Sequence, residues 1–255
     1  MRKIFSFVAL GAVLGAMPFT QTYAQEANNQ VKLNLLPLTG GTFAVEYERA
    51  LIGGLTAVGM FSYRAESNLP FLSSWKSLVD DEETENILAD TKMGATSFAV
   101  EARYYPSKKG AMRGFYVGPY LKHATYSSFV PLSVEFNPGE QTGYEEIEKV
   151  DLSGKINALS FGLGIGVQFK LAKNVSLDWR IIGPGYGSSR GTLTGKADRA
   201  LTPDEQQELR DQLDDIGEIP FVKIKSSNVD AEGADVKIKG PWAGIRTGLS
   251  IGYRF

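Results

Sequence analysis

The stretch from Gly244 to Phe255 alternates in polarity. Ile245, Leu249, Ile251, Tyr253 and Phe255 share one face, while Arg246, Gly248, Ser250, Gly252 and Arg254 share the other. A period of two is the signature of a strand with one apolar and one polar side. The apolar side must be covered. In a soluble sandwich it meets a second sheet, and in a membrane barrel it meets lipid.

Eight segments read as strands, roughly 31–38, 42–50, 54–65, 92–106, 114–127, 154–170, 174–187 and 241–255. The sixth is the clearest: Leu159, Phe161, Leu163, Ile165, Val167 and Phe169 alternate with Ser160, Gly162, Gly164, Gly166 and Gln168. Length argues for the membrane, because ordinary strands average about 5 to 6 residues and tilted membrane strands need about 9 to 11. The connections argue the same way. Arg49–Gly54, Pro106–Arg113 and Leu171–Asn174 are short, whereas Glu66–Thr91, Ser128–Ser153 and Ser188–Gly240 are long. The first hairpin, through Thr39, Gly40 and Gly41, is expected to be tight. Short periplasmic turns alternating with long outer loops are the barrel pattern, and parity puts both termini on the periplasmic side. The long loops hold 24 of the 29 acidic residues, and the short turns hold Arg49, Lys108, Lys109, Arg113 and Lys173. A soluble sandwich has no reason to sort charge between its ends in this way.

The expected fold is therefore all-β: a closed antiparallel transmembrane β-barrel of about eight strands, with long extracellular loops and a short helix in one of them. The helix is announced by Thr202-Pro203-Asp204-Glu205, a capping box with Pro at the first helical position, followed by an apolar stripe at Leu209, Leu213 and Ile216. Residues 221–225 and 236–239 alternate and are expected to extend the last strands as an outer hairpin. Trp179, Trp242, Tyr104, Tyr253 and Phe255 are expected as aromatic anchors at the membrane interfaces.

The terminal strand resembles the closing strand of bacterial outer-membrane barrels. That resemblance implies that Phe255, Tyr253 and Ile251 form a signal read by the barrel-insertion machinery. Arg2 and Lys3, the apolar run Ile4–Met17 and Thr22-Tyr23-Ala24 read as a secretory signal peptide over 1–24, leaving 25–255 as the barrel. There is no cysteine, hence no disulfide and no lipid-modified thiol. The segments Leu33–Leu36, Val45–Arg49, Glu101–Pro106 and Gly114–Lys122 are together similar to a family of small Gram-negative outer-membrane β-barrel proteins carrying a domain of unknown function. The resemblance implies the fold and supplies no activity.

Candidate sites are few. The predicted lumen face carries Glu46, Glu48, Arg64, Glu101, Arg103, Lys122, Asp178, Arg180 and Arg246, expected to pair as a plug that does not conduct, because an eight-stranded interior is just filled by side chains. Gly248-Leu249-Ser250-Ile251-Gly252 matches the serine-hydrolase G-x-S-x-G pattern but lies inside a strand, with no helix after it. Gly162, Gly164 and Gly166 have strand spacing and read as a lumen stripe approached closely by bulky neighbours. His123, the only histidine, should face lipid or the outer interface, two residues from Thr125. Neither metal nor cofactor is expected: one histidine argues against a His-based metal site, and Asp80–Glu83 lack calcium-loop spacing. The near-neutral charge excludes an electrostatic case for nucleic acid. The expected partners are outer-membrane lipid and lipopolysaccharide, whose phosphates the acidic loops would share divalent cations with, and an unidentified ligand of the loops. The expected role is non-enzymatic, structural or surface-interacting. The alternative is a lipid-modifying acyl hydrolase using His123 and Thr125.

Overall fold

The polarity alternation becomes nine strands in the computed structural model, which describes residues 28–71, 89–108, 110–136, 146–197, 199–217 and 224–255. The leader segment 1–24, the acidic residues 80–85, Lys109 and residues 221–223 lie outside the described residues. The strands are β1 (Asn29–Asn34), β2 (Thr42–Ala50), β3 (Leu55–Asn68), β4 (Lys92–Tyr104), β5 (Gly114–Phe136), β6 (Glu146–Lys170), β7 (Val175–Lys196), β8 (Ile224–Asp230) and β9 (Gly233–Arg254).

Neighbours run β1-β2-β3-β4-β5-β6-β7-β9, all antiparallel, and β9 pairs back onto β1, so eight strands form a ring. The closing register runs from Gln30 opposite Arg254 to Asn34 opposite Ser250. Asn29 N donates to Phe255 O at 3.1 Å and Phe255 N to Asn29 O at 2.9 Å, which ties the two ends of the ring together beside the short turns.

Side chains sort by parity. Phe98, Val100, Leu121, Phe161, Leu163 and Ile251 point outward and are exposed, while Lys32, Glu48, Glu101, Arg103 and Gln168 point inward and are buried. This is the reverse of a soluble protein, in which exposed apolar surface is scattered and buried charge is rare.

Four expectations need correction. The first strand does not reach residue 38: it ends at Asn34, and a 3-10 turn over Pro37–Gly40 follows, with Gly41 left-handed at φ 74°. Pro37 cannot donate to a ladder, so pairing stops there. The later strands are longer than expected, β6 reaching 25 residues and β7 and β9 22 each. The loop-end extension of β7, Ser188 to Lys196, carries polar residues on both faces and so gives no apolar period. Only the backbone ladder marks it as strand, whereas Val236 to Lys239 alternates and extends β9 as expected. The period of two expected of every strand also breaks in β7. Ile181 and Ile182 both face outward at a bulge between Arg180 and Gly183, and the inward parity changes from even to odd residues beyond it. Finally, Trp242 is not an outward anchor. It shares the inward parity of Arg246 and packs against Tyr126 with ring centroids 5.0 Å apart.

The ninth strand, β8, lies outside the ring as the edge of an outer hairpin with β9. Above it sits helix α1 (Pro203–Gly217). Its N-terminus is the reciprocal box expected: Thr202 N donates to Glu205 Oε2 at 2.7 Å, and Glu205 N to Thr202 Oγ1 at 3.4 Å. Leu209 and Leu213 bury against Leu201, Val229, Ala234 and Val236, the one apolar core cluster among the described residues. The side chain of Ile216 lies outside those described.

Candidate functional site

The interior of the ring holds four acids, each delivered by a strand: Glu46 and Glu48 from β2, Glu101 from β4 and Asp178 from β7. Arg103 is the hub and reaches all of them. It lies 2.6 Å from Asp178, 2.8 Å from Glu101 and 3.4 Å from both Glu46 and Glu48. Lys32 pairs with Glu48 and Asp178. Arg180 pairs with Glu46 at 3.0 Å and Glu101 at 3.4 Å, and Arg246 approaches Glu101 at 3.6 Å. Four cations thus meet four carboxylates, the arrangement a narrow polar interior requires if no charge is to be left uncompensated.

Neutral groups complete the shell. Tyr116 donates to Asp178 Oδ1 at 2.9 Å, and its ring lies under the Arg103 guanidinium at 4.2 Å. Thr56 donates to Glu48 Oε1 at 2.6 Å, and the Tyr105 hydroxyl lies 2.8 Å from the same oxygen. Gln30, Gln168 and Ser176 hydrogen-bond one another at the turn end. The glycine stripe of β6 makes this possible. A Cβ on Gly166 would strike the Tyr116 hydroxyl, and one on Gly162 would strike the Tyr120 ring. The missing side chains are slots for two tyrosines.

Several of these groups were not singled out from the sequence. Lys32, Gln30 and Asn34 alternate with Val31 and Leu33, so the period marks them as inward, but the strand is short and the run Leu33–Leu36 obscures it. Tyr116 and Tyr120 share the parity of Lys122, yet a tyrosine fits either face, so parity rather than chemistry was the usable signal.

Arg64 faces the interior but joins no acid among the described residues. It donates to the carbonyls of Gly40, Met93 and Asn68, and to Ser67 Oγ at 3.0 Å. It stands too near the loop end to meet Glu46, and instead pins the β1–β2 connection to β3 and β4. Lys122 also lies above the acids, and no described carboxylate pairs with it. Ile251, Tyr253 and Phe255 all point outward and are exposed. His123 is outward, opposite Phe98 and Leu159, and Thr125 Oγ1 donates to Asn157 Oδ1 at 2.8 Å. Ser250 is buried inside β9 and not on a strand-to-helix turn. Among the described residues no group of three or more His, Cys, Asp or Glu side chains is placed to hold a metal ion.

Toward the loop end the packing opens into a cavity of about 600 Å³. Its floor is the top of the ion-pair network, with Arg180, Arg246 and Glu46. The Arg246 guanidinium lies over the Tyr120 ring at 4.2 Å and donates to Met60 Sδ at 2.7 Å. The interior is therefore sealed by charge at one end and hollow at the other.

No curated protein and no solved structure matches this chain. A family model does match, from residue 10 to residue 193, taking in β1 to most of β7. That span is well over half of the sequence, and the chain belongs to the DUF3575 family of proteins of unknown function.

Proposed function

We propose that this protein is a non-enzymatic outer-membrane β-barrel with a structural or surface-interaction role, its lumen closed by the ion-pair network. The observation that carries this reading is the inverted polarity of the ring: apolar side chains outside, and Glu46, Glu48, Glu101 and Asp178 buried inside. Lipid is the medium that makes such a surface stable, and a closed ring is the sheet form that satisfies its backbone there. On this reading the short-turn end with both termini is periplasmic, and α1 with the outer hairpin is extracellular. Residues 1–24 act as the export signal, and the outward Ile251, Tyr253 and Phe255 serve the insertion machinery. Outer-leaflet lipid and lipopolysaccharide are the surrounding partners.

Purified protein in detergent should migrate differently on a gel before and after boiling, as a closed barrel resists detergent until heated. In planar bilayers it should show no steady conductance steps. Identical migration with and without heat would rule out the closed barrel, and reproducible ion-selective conductance would rule out the plug.

A further inference from the structure

The cavity above the plug has two unusual properties. The first is charge. Arg64, Lys122, Arg180 and Arg246 line it, against one acid, Glu46. Glu46 is already bonded to Arg180 and Arg103. Lys122 has no described carboxylate partner. Among the described residues, Arg246 meets carboxylate only through the 3.6 Å approach of its Nη1 to Glu101. A cavity lined by four cations against one acid that is already paired is built to receive an anion.

The second property is the wall. On the side facing β1, no described strand pairs with β9 between Ile238 and Ser250. The last backbone hydrogen bond there among the described residues is Leu35 N donating to Leu249 O at 2.7 Å. The gap exists because β1 stops at Asn34 and the chain turns at Pro37, while β9 continues upward along β7. Both flanks of the gap line the cavity: Leu36 and Pro37 on one side, Ile245 and Thr247 on the other. Ile245 is 72% exposed and Leu36 44%. Among the described residues the cavity therefore has a cationic floor and an apolar side opening.

We propose that this cavity binds an anionic amphiphile, an acyl chain bearing a phosphate headgroup. The headgroup accepts hydrogen bonds from Lys122, Arg180 and Arg246, and the chain leaves through the gap between the Pro37 turn and β9. Charge-assisted bonds to phosphate oxygens supply the partner that Lys122 lacks among the described residues and offset the excess of cations. A volume of about 600 Å³ is within the range of small-molecule sites. Entry from the bilayer rests on the membrane placement proposed above, whereas the binding itself does not.

The test uses the full purified protein in a neutral maltoside detergent, with dodecyl phosphate as the probe and native mass spectrometry as the readout. Dodecanol and inorganic phosphate are the parallel arms. The expected result is one retained dodecyl phosphate per chain, with neither dodecanol nor inorganic phosphate retained. Lys122→Gln should lower affinity about tenfold, the scale of one lost charge-assisted bond. Ala95→Phe, which fills the cavity wall from β4, should abolish retention. The heat-dependent gel shift reports separately whether each variant folds and whether the barrel reading stands. Equal retention of dodecanol would make the site merely greasy and overturn the proposal. Retention of inorganic phosphate alone would also overturn it. So would wild-type affinity in a correctly folded Ala95→Phe protein.

Discussion

The molecule has two cores, and they are built from opposite materials. Inside the ring, Arg103, Lys32 and Arg180 meet four carboxylates with hardly any apolar side chain among them. Beyond its loop end, Leu209 and Leu213 of α1 pack on Val229, Ala234 and Val236 in an ordinary apolar cluster. The difference follows from what lies on the other side of the sheet. The strands of the ring spend their apolar residues on the outward face, so only polar residues remain for the inside. The outer hairpin meets water on one side and therefore turns its apolar residues toward the helix. The stability of the two cores should respond differently to substitution. The ionic core fails when its charge balance is broken, and the apolar core fails when volume is lost.

The largest effect should come from Arg103→Ala. It strips the hub from four carboxylates, and breaking a buried pair costs about 3–5 kcal/mol. The expected outcome is a drop in the temperature at which the gel shift is lost. Arg103→Met should be nearly as damaging, because it restores volume without charge. If Met rescued the heat resistance, packing rather than charge would hold the interior and the contrast between the cores would dissolve.

A smaller and more local effect is expected from Leu209→Ala. Loss of a buried leucine costs about 2–5 kcal/mol, here confined to the appendage. Amide exchange in α1 and β8 should accelerate while the heat resistance of the ring stays at the wild-type value. Loss of both together would show that the two cores fold as one unit.

The smallest effect is a pH dependence of the helix start. Glu205 is held down to about 2 from 4.5, chiefly by its hydrogen bonds from the Arg199 guanidinium at 2.7 and 2.9 Å, with the capping bond from Thr202 adding to it. A depressed carboxylate contributes stability that is complete above about 4.5 and disappears as pH falls toward about 2. Protection of the first-turn amides of α1 should decline across that window, and Glu205→Gln should flatten the decline. A pH-independent profile in the wild type would remove Arg199 and Glu205 from any role in fixing the helix.

How much of this was readable in advance depended on which physical signal each feature leaves. Alternating polarity needs only the order of residues. It is enough for the ring strands, the inward position of Glu46, Glu48, Glu101, Arg103, Asp178 and Arg180, and the glycine stripe of β6. The capping box at Thr202 and Glu205 is equally local. The upper part of β7, Ser188 to Lys196, was not legible, because a stretch that shows no apolar face gives no period and is held by backbone pairing alone.

The chain order by itself determined which residues alternate, where the helix begins and which charges fall on one face. Only the tertiary structure decided which charges meet. Pairing of Lys32 with Asp178 joins residues 146 positions apart, through the register of β1, β9 and β7. It likewise decided that Arg64 bonds to carbonyls instead of an acid, that a bulge at Ile181 and Ile182 resets the inward parity, and that Trp242 turns in. Alternation assigns a side chain to a face, but its height along the ring is set by how neighbouring strands register. A charge finds its partner only when both face and height are known.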